Sequence, residues 1–153
     1  MSNEYKRTLE DEIDWKVIDQ LHNSTMKFST TSLELKKILF VLIGISVPSL
    51  LKLAGNKLDM SFFVTLYLFL LTFWFLDSFT YYYQDKLRKL MDKRFNKLRI
   101  RNNEERSVST TISDKRTDNN RMKRSLWNES IYIYPVLIGL NTIGCILLIL
   151  GVI

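Results

Sequence analysis

The chain has 153 residues, with 22 Lys and Arg against 16 Asp and Glu, a net charge of +6, and hydrophobic side chains at 46% of positions. Its mean hydropathy of −0.03 is ordinary, but the long apolar runs fall in three places and almost all the charge falls between them, a segregation that suits a bilayer better than water. A single cysteine, Cys145, and a single histidine, His22, exclude disulfides and thiolate metal sites within one subunit. No HExxH, GxSxG, P-loop or CxxC arrangement points to catalysis, so no enzyme activity, metal or cofactor is expected.

Residues 1–32 read as a cytoplasmic amphipathic helix region. Leu9, Ile13, Val17, Leu21 and Phe28 recur at helical spacing, with Trp15 and Ile18 beside them. His22 is an ordinary surface position on it. The Ser- and Thr-rich stretch Ser24 to Ser32 predicts a break or bend, and Ser32 followed by Glu34 predicts a new helix start. Residues 1–27 lack the apolar stretch of a signal peptide, so the first span is expected to serve as its own uncleaved insertion signal.

Residues 33–84 read as a transmembrane hairpin turning at Gly55-Asn56. The first uncharged run, Ile38 to Leu51, is fourteen residues. Leu33, Leu35, Leu53 and Ala54 extend it to about 20 residues, enough to cross roughly 30 Å of hydrocarbon, while Lys36, Lys37 and Lys52 reach toward headgroups. Pro48, flanked by Ser46 and Ser49, predicts a kink that either packs or lines a path. The second run, Met60 to Leu76, is uncharged for seventeen residues and continues in aromatic character to Tyr83. Within it Asp77 lies about 11 Å from the Gln84-Asp85 boundary at 1.5 Å per residue. A carboxylate there is either a structural acceptor for Thr80, Tyr81, Lys36 or Lys37, or an element of an ion or proton pathway.

Residues 85–101 read as a basic amphipathic cytoplasmic helix. Leu87, Leu90, Met91, Phe95 and Leu98 form its stripe, and Lys86, Arg88, Lys89, Lys93, Arg94 and Lys97 are available to anionic lipid headgroups or to a protein partner. Glu10, Asp11, Glu12, Asp14 and Asp19 of the N-terminal helix offer the opposite charge for pairing with it. Residues 102–129 read as a flexible polar linker that ends in the cations Arg121, Lys123 and Arg124. Residues 130–153 form the third span, uncharged from Ile131 onward. There Gly139, Asn141, Thr142, Gly144 and Cys145 make a small-residue surface for helix–helix packing.

The fold class is therefore all-α: an integral membrane protein with three transmembrane helices, an amphipathic N-terminal helix and a basic helical extension after the second span. Orientation follows from Lys and Arg counts, which are fourteen in residues 85–129 against two in residues 52–59. The N-terminus and the long loop are thus expected in the cytoplasm, and the C-terminus outside an inner membrane. An amphipathic helix ahead of three spans resembles diacylglycerol kinase in layout, but the intramembrane acids that such chemistry needs reduce to Asp77. In layout the first two spans with their cytoplasmic helices also resemble small two-span effector modules of bacterial defence systems. That resemblance implies a homo-oligomeric effector that permeabilises or depolarises the membrane. The alternative is a non-conducting adaptor or immunity-type subunit that docks a cytoplasmic protein. No nucleic-acid partner is expected, and the Asn, Lys, Ile and Phe richness points to a bacterial source.

Overall fold

A computed structural model describes residues 8–53, 55, 59–101 and 118–151, and every described element is helical. Helix α1 spans Leu9–Leu53 and α2 spans Met60–Arg101. The short α3, Asp118–Leu126, leads through a 3-10 turn at Glu129–Ile131 into α4, Ile133–Ile149.

The 45 residues of α1 make a rod about 68 Å long at 1.5 Å per residue. It starts at a reciprocal cap: the Asp11 amide donates to Thr8 Oγ1 and the Thr8 amide to Asp11 Oδ2, each at 3.2 Å. Glu10, Asp11 and Glu12 place negative charge on the positive end of the helix dipole. The break expected over residues 24–32 does not occur. Hydroxyls there bond back to carbonyls four residues earlier instead of capping a new start: Ser24 to Gln20, Thr25 to Leu21, Thr30 to Met26 and Thr31 to Lys27, at 2.8–3.1 Å. The amphipathic segment and the first apolar run are one helix, and it continues through Pro48.

Helices α1 and α2 pack antiparallel after a turn in which Gly55 takes φ +66°, a conformation that favours glycine. The pairs Asp11–Arg101, Trp15–Phe95, Phe28–Tyr83 and Ser32–Asp77 step in opposite directions along the two helices. The seam has a seven-residue repeat. On α1 the buried or half-buried positions include Asp11, Asp14, Ile18, Leu21, Thr25, Phe28, Ser32, Leu35 and Leu39, and on α2 they include Phe63, Leu70, Asp77, Gln84, Met91 and Leu98. This is the spacing of a coiled-coil seam. It departs from the expected stripe, because Leu9 and Ile13 face outward at 76% and 52% exposure. Arg94 and Arg101 draw Asp11 and Asp14 into the seam, which rotates those apolar neighbours away.

The expected linker is helical over Asp118–Leu126, while residues 102–117 lie outside the described residues. Its ordering has a visible cause. Buried Arg121 places Nη1 3.5 Å from the Asp85 carbonyl and 3.7 Å from the Asp85 carboxylate, and Trp74 Nε1 donates to the Leu126 carbonyl at 3.3 Å. Asn128 then caps the 3-10 turn by accepting from the Glu129 amide at 2.8 Å. Pro135 falls in the first turn of α4, where a missing N–H costs nothing. Leu39 of α1, Leu70 of α2, Ile131 of the 3-10 turn and Tyr134 of α4 form the shared core, flanked by Ile43, Phe73, Trp74 and Leu137.

Among the described residues, two segments are long and apolar enough to cross a membrane, α2 and Glu129–Ile149. Their apolar windows are only 22% and 17% buried within the molecule. Val64, Leu68 and Phe75 on α2 and Val136, Leu140 and Ile146 on α4 face outward.

Candidate functional site

Polar side chains from α1, α2 and the start of α4 converge on Asp77, which is 1% exposed. Ser32 donates to Asp77 Oδ1, and Thr80, one turn along α2, places Oγ1 3.3 Å from the same oxygen and donates to the Asp77 carbonyl at 2.7 Å. Lys36 Nζ lies 3.0 Å from Asp77 Oδ2. The same ammonium is 3.1 Å from Ser32 Oγ and donates to Ser130 Oγ at 2.8 Å. Tyr134 of α4, with no exposed surface, packs beside the cluster with Leu39, Leu70 and Ile131, and its hydroxyl makes no hydrogen bond.

The node lies at one end of the apolar section. From Asp77 back to Met60 is about 26 Å of helix, and from Lys36 forward to Leu53 the same, at 1.5 Å per residue. Asp77 therefore shares its level with the polar starts of the neighbouring apolar segments. Its charge is met within the chain by an ammonium and two hydroxyls, with Oδ2 held by the ion pair alone, an arrangement that can fix three helices in register. Pro48 is not part of it. Twelve residues beyond Lys36, about 18 Å along α1, it is exposed on the outer face.

A second charged cluster locks the far end of the α1–α2 hairpin. Arg94 Nη1 donates to Asp14 Oδ1 at 2.8 Å, and Arg101 donates to Asp11 Oδ1 and Asp14 Oδ2, both at 2.9 Å. Glu10 adds a contact of 3.4 Å to Arg101. The Arg94 hydrogen bond is the main force that holds the Asp14 carboxyl below the usual carboxylate value, against its desolvation. For Arg101, desolvation opposes the charge, but hydrogen bonds to Asp14 and Asp11 outweigh it and raise the pKa. Of the basic set singled out from the sequence, Arg94 is thus committed to α1. Lys86, Arg88, Lys93 and Lys97 are exposed and Lys89 is half-buried.

The small-residue surface of α4 divides. Asn141 Nδ2 donates to the Phe63 carbonyl of α2 at 3.1 Å, and Gly144 lies so close to the Phe63 ring that an added Cβ would meet Cε1 at 2.8 Å. Thr142 Oγ1 and Tyr67 Oη are 2.6 Å apart, and Cys145 Sγ is 3.6 Å from Met60 Sδ. Gly139 is exposed, with nothing within 4 Å of its added Cβ, so the expectation that it packs against a neighbouring helix is not met within the chain. The α2–α4 contact uses the residues one helical face away from it.

Comparison with known protein families, characterised proteins and solved structures found no match. Sequence reasoning singled out Asp77 and its lysine partner but missed Ser32, Ser130 and Tyr134, whose convergence depends on three helices meeting. It also passed over Arg101, although a cation seven residues beyond Arg94 is a heptad signal opposite Asp11 and Asp14. Among the described residues, no cluster of His, Cys, Asp and Glu could hold a metal ion.

Proposed function

We propose that this chain is a non-conducting, three-span membrane anchor that presents a stiff, charged helical arm to a cytoplasmic partner. The observation that carries this reading is the neutralisation of Asp77. It is the one charged residue from Met60 to Gln84, the runs Ile38–Leu51 and Ile131–Ile153 contain none, and its carboxylate is engaged by Lys36, Ser32 and Thr80. An ion path needs polar groups facing the permeant ion. Here the outward faces of the apolar segments are dominated by Val, Leu, Ile and Phe, which lipid covers and water would not tolerate over such an area.

Further support comes from the residues beyond the node. Leu9 to Ser32 of α1 and Thr80 to Arg101 of α2 form an arm about 33–36 Å long, locked at its tip by the Asp14–Arg94 and Asp11–Arg101 pairs. Exposed Lys86, Arg88, Lys93 and Lys97 line its α2 side and suit anionic headgroups near the membrane and an acidic protein surface farther out. With fourteen cations in residues 85–129 against two in residues 52–59, the arm lies on the cytoplasmic side of a bacterial inner membrane.

The test is dye leakage from vesicles, and membrane potential in cells, with the intact chain inserted. Retention of dye and potential at high protein-to-lipid ratio is the expected result. Leakage would overturn the anchor reading in favour of a self-associating effector that permeabilises the membrane.

A further inference from the structure

Helix α1 has the shortest uncharged run of the three helices that meet at the node. Its uncharged run, Ile38 to Leu51, covers about 21 Å, short of the roughly 30 Å of a hydrocarbon layer. Among the described residues, only α2 and Glu129–Ile149 are apolar enough to cross by composition alone. Extending α1 back to Ser32 supplies the missing length but brings Glu34, Lys36 and Lys37 with it. Glu34 and Lys37 are exposed at the rim, where polar ends reach headgroups. Lys36 is different: its side chain is 14% exposed and turned into the helix junction, 3.0 Å from Asp77 Oδ2.

We propose that the Lys36–Asp77 pair makes the crossing of α1 conditional on α2, so that α1 enters the membrane as a docked partner of α2 and not as an independent span. The inference rests on the membrane reading above and extends it to how the anchor is assembled. Each charge alone is unfavourable inside an apolar layer. Together they form an ion pair in which Ser32 and Thr80 serve the carboxylate and Ser130 takes a second bond from the ammonium. The partners come from α1, α2 and the turn before α4, so the set is complete only when all three have met. Because α1 is continuous from Leu9 to Leu53, the same pair fixes where its cytoplasmic half begins, and with it the register at which Asp11 and Asp14 face Arg101 and Arg94.

The experiment uses the full chain with Cys145→Ala and single reporter cysteines, Leu9→Cys in one set and Leu53→Cys in another. An impermeant thiol reagent is applied to vesicles of both orientations. With the native pair, the two reporters label from opposite sides. Asp77→Lys and Lys36→Asp, which each set like charges together, are expected to bring both reporters to one side or to cause loss of the chain by degradation. The double exchange Lys36→Asp/Asp77→Lys should restore opposite-side labelling and abundance. Single reversals that keep opposite-side labelling, or a double exchange that fails to recover it, would overturn the proposal. Release of the native chain from membranes by alkaline carbonate would instead overturn the membrane reading itself, and this is scored before any variant is made.

Discussion

Asp77 and Asp14 are both carboxylates turned into the α1–α2 seam, and their surroundings give them different sensitivities. Asp77→Asn keeps an acceptor for Ser32 and Thr80 and loses only the ionic part of the Lys36 contact, a change expected to cost about 1–3 kcal/mol. Asp77→Leu leaves the Lys36 ammonium without its counter-charge and Ser32 without its acceptor, while Thr80 keeps the residue-77 carbonyl, and is expected to cost about 3–5 kcal/mol. Unfolding in mild detergent should rank the native chain above Asn, and Asn above Leu; equal stability of the two variants would remove the node from the account. Asp14 answers to pH. Its pKa is lowered from 3.8, chiefly by the Arg94 hydrogen bond, so its contribution is complete above the unfolded value and is lost as pH falls below 3.8 through the folded value. Trp15, in edge contact with Phe95 at 5.6 Å between ring centroids, reports the loss by fluorescence once Trp74 and Trp127 are replaced by Phe. Arg94→Met should move that loss to higher pH, and an unchanged midpoint would contradict the assignment.

At the scale of helices, the α2–α4 contact separates two glycines that look alike in the sequence. At Gly144→Ala the new methyl meets the Phe63 ring at 2.8 Å, and the overpacking is expected to cost about 1–3 kcal/mol. Gly139→Ala meets nothing and should be neutral or stabilising by about 0.5–1 kcal/mol from reduced backbone freedom. Thermal unfolding of the two variants in detergent checks the order, and destabilisation by Gly139→Ala would mean that a neighbouring molecule covers that face. The same contrast shows what local pattern could reveal. Apolar runs located α2 and α4, because length and composition suffice for a helix that lipid surrounds. They misplaced the seam of α1, because periodicity follows hydrophobicity whereas Asp11 and Asp14 enter the seam to meet arginines 80 to 90 positions away. The Ser- and Thr-rich stretch misled for a related reason: hydroxyls that cap a helix in one setting bond back to it in another, and only the packing of Thr25, Phe28 and Ser32 against α2 decides between them.

For the whole molecule, the expected orientation follows from the distribution of Lys and Arg, and the node fixes where the apolar section ends. Residues 85–129 carry fourteen Lys and Arg against two in residues 52–59, and among the described residues the two segments long and apolar enough to cross a membrane lie on either side of that loop. The node marks the level at which the apolar section ends, since Lys36, Asp77 and Ser130 share hydrogen bonds or an ion pair there. On the proposed three-span arrangement, Leu53 at the end of α1 and Lys123 on α3 are expected on opposite sides of the membrane. In a Cys145→Ala background, Leu53→Cys should react with an impermeant thiol reagent in intact spheroplasts, and Lys123→Cys only after the membrane is opened. The reverse pattern would turn the molecule over and place the charged arm outside, where no cytoplasmic partner could reach it. Labelling of both positions in intact spheroplasts would mean that no crossing lies between them. Moving charge tests the cause: replacing Lys86, Arg88, Lys89 and Lys93 with Gln while adding four lysines next to Leu53 should lower the preference for the native orientation, because the rule weighs cations close to the spans. If labelling stays one-sided after that exchange, the node and not the loop charge sets the orientation, and the two can be separated by repeating the exchange in the Asp77→Asn chain.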